Sequence, residues 1–268
     1  MKEKQIGFIG VGNMATAILQ GILRSQLYRP DEIAVFDPIE EKRKAFAEQG
    51  VLPVESGAQV VEQCRVVVLA VKPQSFEEVL AEIAPRMTPE TVIVSIAAGI
   101  STEYIARKLG VACKTVRVMP NTPLLLGVGA SAMSCTEQVT DEEFAQVQKI
   151  FSASGVVAVL PESQMNAVIS VNGSSPAYIY LFAKAMLEQA EAYGIDGETA
   201  LKLIAQTVHG SAEMLLRSGD SPEELIRKVS SPGGTTLKAL ETLEEFRFEE
   251  GIRKAMESCT RRAEELGK

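Results

Sequence analysis

The segment Gly10-Val11-Gly12-Asn13-Met14-Ala15 constrains this chain more than any other. It directly follows a stretch at 5–9 that reads as a buried strand. It opens a stretch in which Ala15, Ile18, Leu19 and Ile22 share one helical face. A glycine pattern of the form GxGxxG/A carries meaning only between a strand and a helix, and here both flanks are present. Gly10 permits the tight turn, Gly12 lets a pyrophosphate approach the backbone, and small Ala15 lets the helix pack closely on the strand. The helix N-terminus then offers free N–H groups and the positive end of a dipole to phosphates.

The strand–helix rhythm repeats beyond this turn. Strands are expected at 32–36, 66–71, 91–96, 115–119, 128–134 and 156–160, with helices at 40–49, 76–84, 102–109 and 141–151. The valine-rich run 66–71 has no polar alternation, as expected of a strand covered on both faces. The pattern predicts a Rossmann-like, doubly wound α/β domain built on a parallel sheet with helices on both faces, over residues 1–161. Beyond Pro161 no convincing strand appears. A helical stretch from 164 to 193 is interrupted at Asn172-Gly173-Ser174-Ser175-Pro176, where Pro176 should kink it or start a new helix. Later helical faces are set by Leu201, Ile204, Ala205 and Val208, and by Ile252, Ala255, Met256 and Cys259. An all-α domain is therefore expected over 162–268. It is rich enough in Ala, Leu, Ile and Met to suggest dimerisation through that half.

Composition removes several classes of function. The formal net charge is −8 and no basic stripe stands out, which argues against a nucleic-acid partner. The longest uninterrupted apolar run, 66–71, is far short of the roughly 20 residues of a membrane span. At the N-terminus a buried strand and tight turn explain the sequence better than a signal peptide does, because Glu3 and the glycines break the signal pattern. Cys64, Cys113, Cys135 and Cys259 are scattered and form no CxxC pair. That suggests neither a zinc site nor a disulfide framework, and it fits a reducing cytoplasm. His209 is the only histidine, so a histidine metal cluster or a histidine-based triad is not expected. An ordinary helix-surface or interface role is the expectation for it.

The carboxyl ends of parallel strands are where such sheets bind ligands. Asp37 ends the second strand, where an acid commonly accepts hydrogen bonds from the adenosine ribose hydroxyls. It favours NAD and repels the extra phosphate of NADP. Lys42 and Arg43 lie just beyond and could counter that repulsion, and Asp37 could instead cap the next helix beside Pro38. Cofactor choice therefore stays open between NADH and NADPH. Lys72-Pro73, the segment 95–100 with Ala97, Ala98 and Gly99, and Pro120-Asn121-Thr122-Pro123 come after three further strands. The small residues would let a flat nicotinamide approach the backbone, and Asn121 could hydrogen-bond a ribose or a carboxamide. Each segment is equally readable as an ordinary turn. Lys72 is better explained as a positive charge near the cofactor, or as a loop cap, than as a catalytic lysine.

In the helical half, Ser230-Ser231-Pro232-Gly233-Gly234-Thr235-Thr236 precedes a helix at 237–245. Its backbone N–H groups make a natural carboxylate site, the two glycines remove side-chain obstruction, and Ser231, Thr235 and Thr236 add hydroxyls. The plainer reading is a helix-capping turn with threonine at the N-cap.

Taken in order, IGFIGVGNMA from Ile6, AVKP from Ala70, SIAAGI from Ser95, RVMPNTP from Arg117, SSPAY from Ser174 and SSPGGTT from Ser230 resemble pyrroline-5-carboxylate reductases over essentially the whole chain. The resemblance implies NAD(P)H-dependent reduction of Δ1-pyrroline-5-carboxylate to L-proline in the cytoplasm. It implies a helical domain that interlocks two subunits, often assembled into rings of dimers. It places Val11, Asn13 and Met14 at the cofactor turn; Gly10, Gly12, Asp37, Ala70, Val71 and Ala97 are expected on the cofactor as well. Lys72, Pro73 and Asn121 would lie near the nicotinamide half. Ser231, Gly233, Gly234 and Thr235 would hold the substrate carboxylate, and Thr236, the expected catalytic residue, would hydrogen-bond the ring nitrogen. The chain departs from the family pattern at Ser175, where glycine is usual, and at Ser56-Gly57, where many members carry asparagine. Asp37 is less usual among members that prefer NADPH. Two rival readings remain: a β-hydroxyacid dehydrogenase with Lys184 as its acid/base, whose surroundings do not match that family's motif, and a cofactor-sensing relative without catalysis, against which the intact 230–236 loop speaks.

Overall fold

The structure, a computed structural model, describes residues 2–267. In chain order it contains β1 (Lys4–Ile9), α1 (Asn13–Arg24), β2 (Ile33–Phe36), α2 (Glu40–Ala47), β3 (Leu52–Pro53), α3 (Gly57–Gln63), β4 (Cys64–Leu69), α4 (Phe76–Ile83), β5 (Val92–Ser95), α5 (Thr102–Leu109), β6 (Lys114–Met119), β7 (Gly129–Cys135), α6 (Asp141–Ser152) and β8 (Gly155–Val159). The helices α7 (Ser175–Ala192), α8 (Gly197–Arg217), α9 (Pro222–Val229), α10 (Thr235–Glu245) and α11 (Phe248–Leu266) complete the chain. Contacts divide it into two compact units. One runs to Pro176 and takes in the stretch from Ser258 onward; the other is Ala177–Glu257.

The first unit is organised by an eight-stranded sheet of order β3-β2-β1-β4-β5-β6-β7-β8. The chain leaves β1 toward β2 on one side and returns to β4 on the other. The carboxyl ends of β1 and β4 thus flank the topological switch point at which such sheets bind ligands. Register is continuous from Ile6↔Val66 to Ile9↔Leu69. Alternate side chains of these strands feed two cores, one on each face. Ile6, Phe8, Val66 and Val68 pack with α1 and α6 residues such as Ile18 and Ile150. Ile9, Val67 and Leu69 pack with Val60, Leu80 and Ile105 from α3, α4 and α5. This is why the 66–71 run shows no polar alternation.

Three features differ from the sequence expectation. Strand β7 is antiparallel to β6, and β8 runs parallel to β7, so the far end of the sheet reverses direction. The edge strand β3 and the helix α3 were not anticipated. β3 has only two residues, too short for any period, and α3 is announced only by Ser56, whose side chain caps it by accepting the Gln59 N–H.

Between β8 and α7 the chain makes a π-helical turn at Ile169–Gly173. Pro176 then stands in the first turn of α7, where its missing N–H costs no helical bond, so it starts a new helix. No strand is present beyond β8 among the described residues. Within the second unit the helices leave large apolar side chains in the open. Leu181 is 66%, Leu216 77% and Phe246 81% exposed, and α7 buries no side chain at all. Phe182, Met186, Leu243, Phe246, Phe248 and Ile252 line an apolar hollow of about 940 Å³ in this unit.

Candidate active site

The glycine turn sits at the carboxyl end of β1. Gly10 has φ +93, and a side chain there would lie 2.7 Å from the Ala70 carbonyl, so both its conformation and its neighbour require glycine. Its N–H donates to Phe36 O at 2.7 Å, while the Ala70 N–H donates to Ile9 O at 2.9 Å. These bonds extend the β2–β1–β4 ladder past the strand ends and fix where the turn begins. Gly12 is the N-cap of α1, in extended geometry with no side-chain cap. A Cβ at Gly12 would meet nothing within 4 Å. The first-turn N–H groups of α1 are therefore uncapped by side chains and border open space, the arrangement that suits a pyrophosphate. Asn13 is exposed and Met14 half-buried beside this turn, while Val11 and Ala15 are packed in the core.

Asp37 lies against the same turn and is only 5% exposed. Its Oδ2 accepts the Val11 N–H at 2.8 Å, and its Oδ1 accepts the Ile39 N–H at 3.0 Å. The N-cap of α2 is Ile39, so the alternative of Asp37 as that helix's cap does not hold. The carboxylate instead ties the end of β2 to the glycine turn. Oδ2 also faces the Lys42 ammonium at 3.5 Å, whereas Oδ1, with one N–H donor, retains acceptor capacity for a ribose hydroxyl.

The neighbouring strand ends supply the remaining segments of this unit. Lys72 is exposed and opens the 3-10 turn Pro73–Ser75, with its carbonyl accepting the Ser75 N–H. Val71 is half-buried at the Gly10 approach. Ala97 is 6% exposed after β5. The next glycine, Gly99, has φ +82, and a side chain on it would stand 2.5 Å from the Ala263 carbonyl of α11. Asn121 is buried, with its Oδ1 accepting the Ala130 N–H at 2.9 Å.

Two side chains to which sequence reasoning assigned no role shape this edge. Asn172, in the π-helical turn, donates its amide to Met119 O at 2.7 Å and to Ala130 O at 2.9 Å. Asn121 and Asn172 thus hold both ends of the Ala130 residue where β6 and β7 meet. Arg117, on β6, donates to Glu162 at 3.0 Å and to Asn166 at 2.6 Å. Glu162 also accepts the Thr102 N–H, which anchors the first turn of α5 beyond the 95–100 segment. A buried arginine inside RVMPNTP was the one available sequence signal for this network. Asn172 gave none beyond its place in a break.

In the second unit the 230–236 loop forms a tight turn, with the Gly234 N–H donating to Ser231 O at 3.0 Å. Gly233 has φ +73, and a Cβ on Gly234 would come within 2.7 Å of Ser231 Oγ. The N-cap of α10 is Gly234, not a threonine, and no side chain caps it. Thr235 and Thr236 are the first two residues of the helix. The capping-turn alternative, with threonine at the N-cap, is thereby replaced by an open N-terminus carrying hydroxyls in its first turn.

Comparison with known proteins agrees with both units. Residues 162–266 match the family model for pyrroline-5-carboxylate reductase dimerisation, and residues 5–99 match that for NADP oxidoreductase, coenzyme F420-dependent. The pyrroline-5-carboxylate reductase of Escherichia coli is 40% identical over 267 residues, covering 99% of each chain. The chain belongs to the pyrroline-5-carboxylate reductase family. Among solved structures of the family, the Coxiella burnetii enzyme superposes with a TM-score of 0.89 at 36% identity over 99% of each chain. The Plasmodium falciparum enzyme, solved with NADP bound, gives 0.92 at 27% identity over the full length of both. Family membership accounts for the doubly wound first unit and for the helical remainder. Among the described residues, no helix is long and apolar enough to cross a membrane, and no group of His, Cys, Asp or Glu side chains could hold a metal.

Proposed function

We propose that this chain reduces Δ1-pyrroline-5-carboxylate to L-proline with NADH or NADPH. The observation that carries the reading is the end-to-end match to a family of that activity, including a 40% identical reductase. The geometry supports it in each unit: an uncapped, unobstructed helix start at Gly12 for a pyrophosphate, and another at Gly234 with hydroxyls beside it for a carboxylate.

In this reading Gly10, Val11, Gly12, Asn13, Met14 and Asp37 hold the adenosine and pyrophosphate portion of the dinucleotide. Ala70, Val71, Lys72, Pro73, Ala97 and Asn121 surround its nicotinamide portion. When bound, that group supplies a hydride. Ser231, Gly233, Gly234 and Thr235 hold the substrate carboxylate, and the Thr236 hydroxyl hydrogen-bonds the ring nitrogen. A protonated cyclic imine is already electrophilic, so the protein's task is placement more than acid catalysis. Binding energy gathered at the remote carboxylate provides that placement. His209, exposed on α8, has no part in this scheme.

The fold is read as two domains, 1–161 for the dinucleotide and 162–268 for substrate and assembly. The exposed apolar faces of α7, α8 and α10 are covered by a second copy of the chain, and such pairs assemble into rings, in the cytoplasm. Mass measurement in solution reads out the assembly.

The deciding assay is oxidation of NADH and, separately, NADPH by purified protein given Δ1-pyrroline-5-carboxylate. Turnover is expected. In Thr236→Ala, kcat is expected to fall while dinucleotide affinity holds. An unchanged kcat in that variant rules out the role given to Thr236, and a protein that binds dinucleotide without turning over the imine is not this reductase.

A further inference from the structure

The charges around the far end of the glycine turn form a pattern that the fold alone does not demand. Asp37 is fixed in place: two backbone N–H groups, from Val11 and Ile39, hold its two oxygens. A carboxylate tied in this way cannot swing aside for a second anion. The cations of α2, the helix that follows, are committed. Lys42 pairs with Asp37 itself at 3.5 Å. Arg43 is largely buried, donates to Val54 O at 3.1 Å, pairs with Glu55 at 3.2 Å and lies over the Phe36 ring. Lys44 pairs with Glu40 at 2.8 Å. These three are the only cations on α2. The entry to that helix, Pro38-Ile39, brings no positive charge, and beside the paired Glu40 its first turn adds a second carboxylate, Glu41.

The next strand end is equally acidic. Glu55 precedes Ser56, the N-cap of α3, and Glu82 Oε1 accepts the Ala58 N–H in the first turn of that helix. A protein carboxylate thus already occupies the second helix start that an additional phosphate could have used.

We infer that this chain selects NADH over NADPH, with Asp37 as the residue that sets the choice. The inference rests on reading the glycine turn as a dinucleotide site. It adds to that reading the discrimination between a ribose hydroxyl and a ribose phosphate. A hydroxyl donates to the fixed carboxylate. A phosphate at the same position meets that carboxylate at close range, and each α2 cation is already paired with a carboxylate, Lys42 with Asp37 itself. Specificity of this sort comes from the repulsive partner as much as from the attractive one.

Direct binding tests this without reference to turnover. NADH and NADPH are titrated separately into the purified protein, monitored by nicotinamide fluorescence, with adenosine 2′,5′-bisphosphate and 5′-AMP as competitors lacking the nicotinamide. NADH is expected to bind about tenfold tighter or better, and 5′-AMP to compete better than the bisphosphate. Asp37→Asn should narrow the gap by weakening NADH and easing NADPH. Ile39→Arg, which leaves the Asp37 anchor in place and adds an uncommitted cation on an exposed position, should narrow it by strengthening NADPH. Equal or tighter binding of NADPH by the unaltered protein overturns the inference, as does a gap that neither variant moves. Binding of neither dinucleotide overturns the cofactor reading as well. Tight NADH binding without reduction of the imine leaves this inference intact and removes only the substrate assignment.

Discussion

The carboxylate of Asp37 accepts the backbone N–H of Val11 at 2.8 Å, across the gap between the end of β2 and the glycine turn after β1. One buried acid therefore holds the shape of the turn and also places a negative charge beside it. The two roles are separable, because the turn's own glycines answer to different constraints.

Gly12 tests the ligand side. Its backbone is extended (φ −81, ψ −178), which any residue adopts, and a Cβ there meets no protein atom within 4 Å. Gly12→Ala is expected to fold with stability within about 0.5 kcal/mol of the parent. Its dinucleotide affinity is expected to fall by roughly tenfold or more, because the added methyl occupies the approach of the pyrophosphate. Thermal unfolding and dinucleotide titration, run side by side, check both halves.

Gly7 tests the packing side. It lies on β1 with a hypothetical Cβ 2.6 Å from Cys64 Sγ and closer still to Val60 Cγ1. Gly7→Ala overpacks the junction between α3 and the sheet and should cost about 1–3 kcal/mol. Denaturant unfolding with an unchanged m-value would show it, and a variant as stable as the parent would contradict the packing described.

The Arg117–Glu162 pair has unequal partners. The Arg117 side chain is 4% exposed, whereas that of Glu162 is 34% exposed. Removing the acid leaves a buried guanidinium with Asn166 as its remaining partner, and removing the base leaves a carboxylate that keeps the Thr102 N–H on a partly exposed side chain. Glu162→Ala should therefore cost about 3–5 kcal/mol, and Arg117→Met less than that after allowance for screening. The reverse order in urea unfolding would mean that the burial asymmetry does not govern the pair.

Cys64 gives a pH dependence. Burial pushes its thiol up to about 12, with the nearby Lys2 and Lys4 opposing weakly. In the unfolded chain the thiol ionises near its ordinary value, so between roughly 9 and 12 the folded state holds a proton that the unfolded state has released. That contribution to stability is full below the lower limit and is lost as pH rises toward the upper one. Cys64→Ala should flatten the alkaline decline in unfolding free energy. In the native parent protein at pH 8, exposed Cys135 should react with a small alkylating agent well before Cys64 does.

Much of the first unit was legible because its signals are local. A glycine turn between an apolar run and an amphipathic helix specifies strand, turn and helix together, and the residues at 5–24 fold as that pattern requires. Strand direction is not local. The residues of β7 carry a strand's character whichever way they run, so its antiparallel pairing with β6 had no counterpart in the sequence. The candidate site divides along the same line. Gly10, Gly12 and the Gly233-Gly234 turn announce themselves by residue type. The tie from Asp37 to Val11, the Asn172 clamp on Met119 and Ala130, and the commitment of Arg43 to Val54 and Glu55 are distances between segments. A residue type can suggest such partners, but only the folded chain selects among them.

The open helices of the second unit limit how far this protein can exist alone. A chain that leaves Leu216 and Phe246 almost entirely in water has left a large share of its hydrophobic driving force unused. If that share is recovered only when copies meet, folding and association become one equilibrium, and the melting temperature becomes a function of protein concentration. Dilution would then act on this chain as a denaturant does.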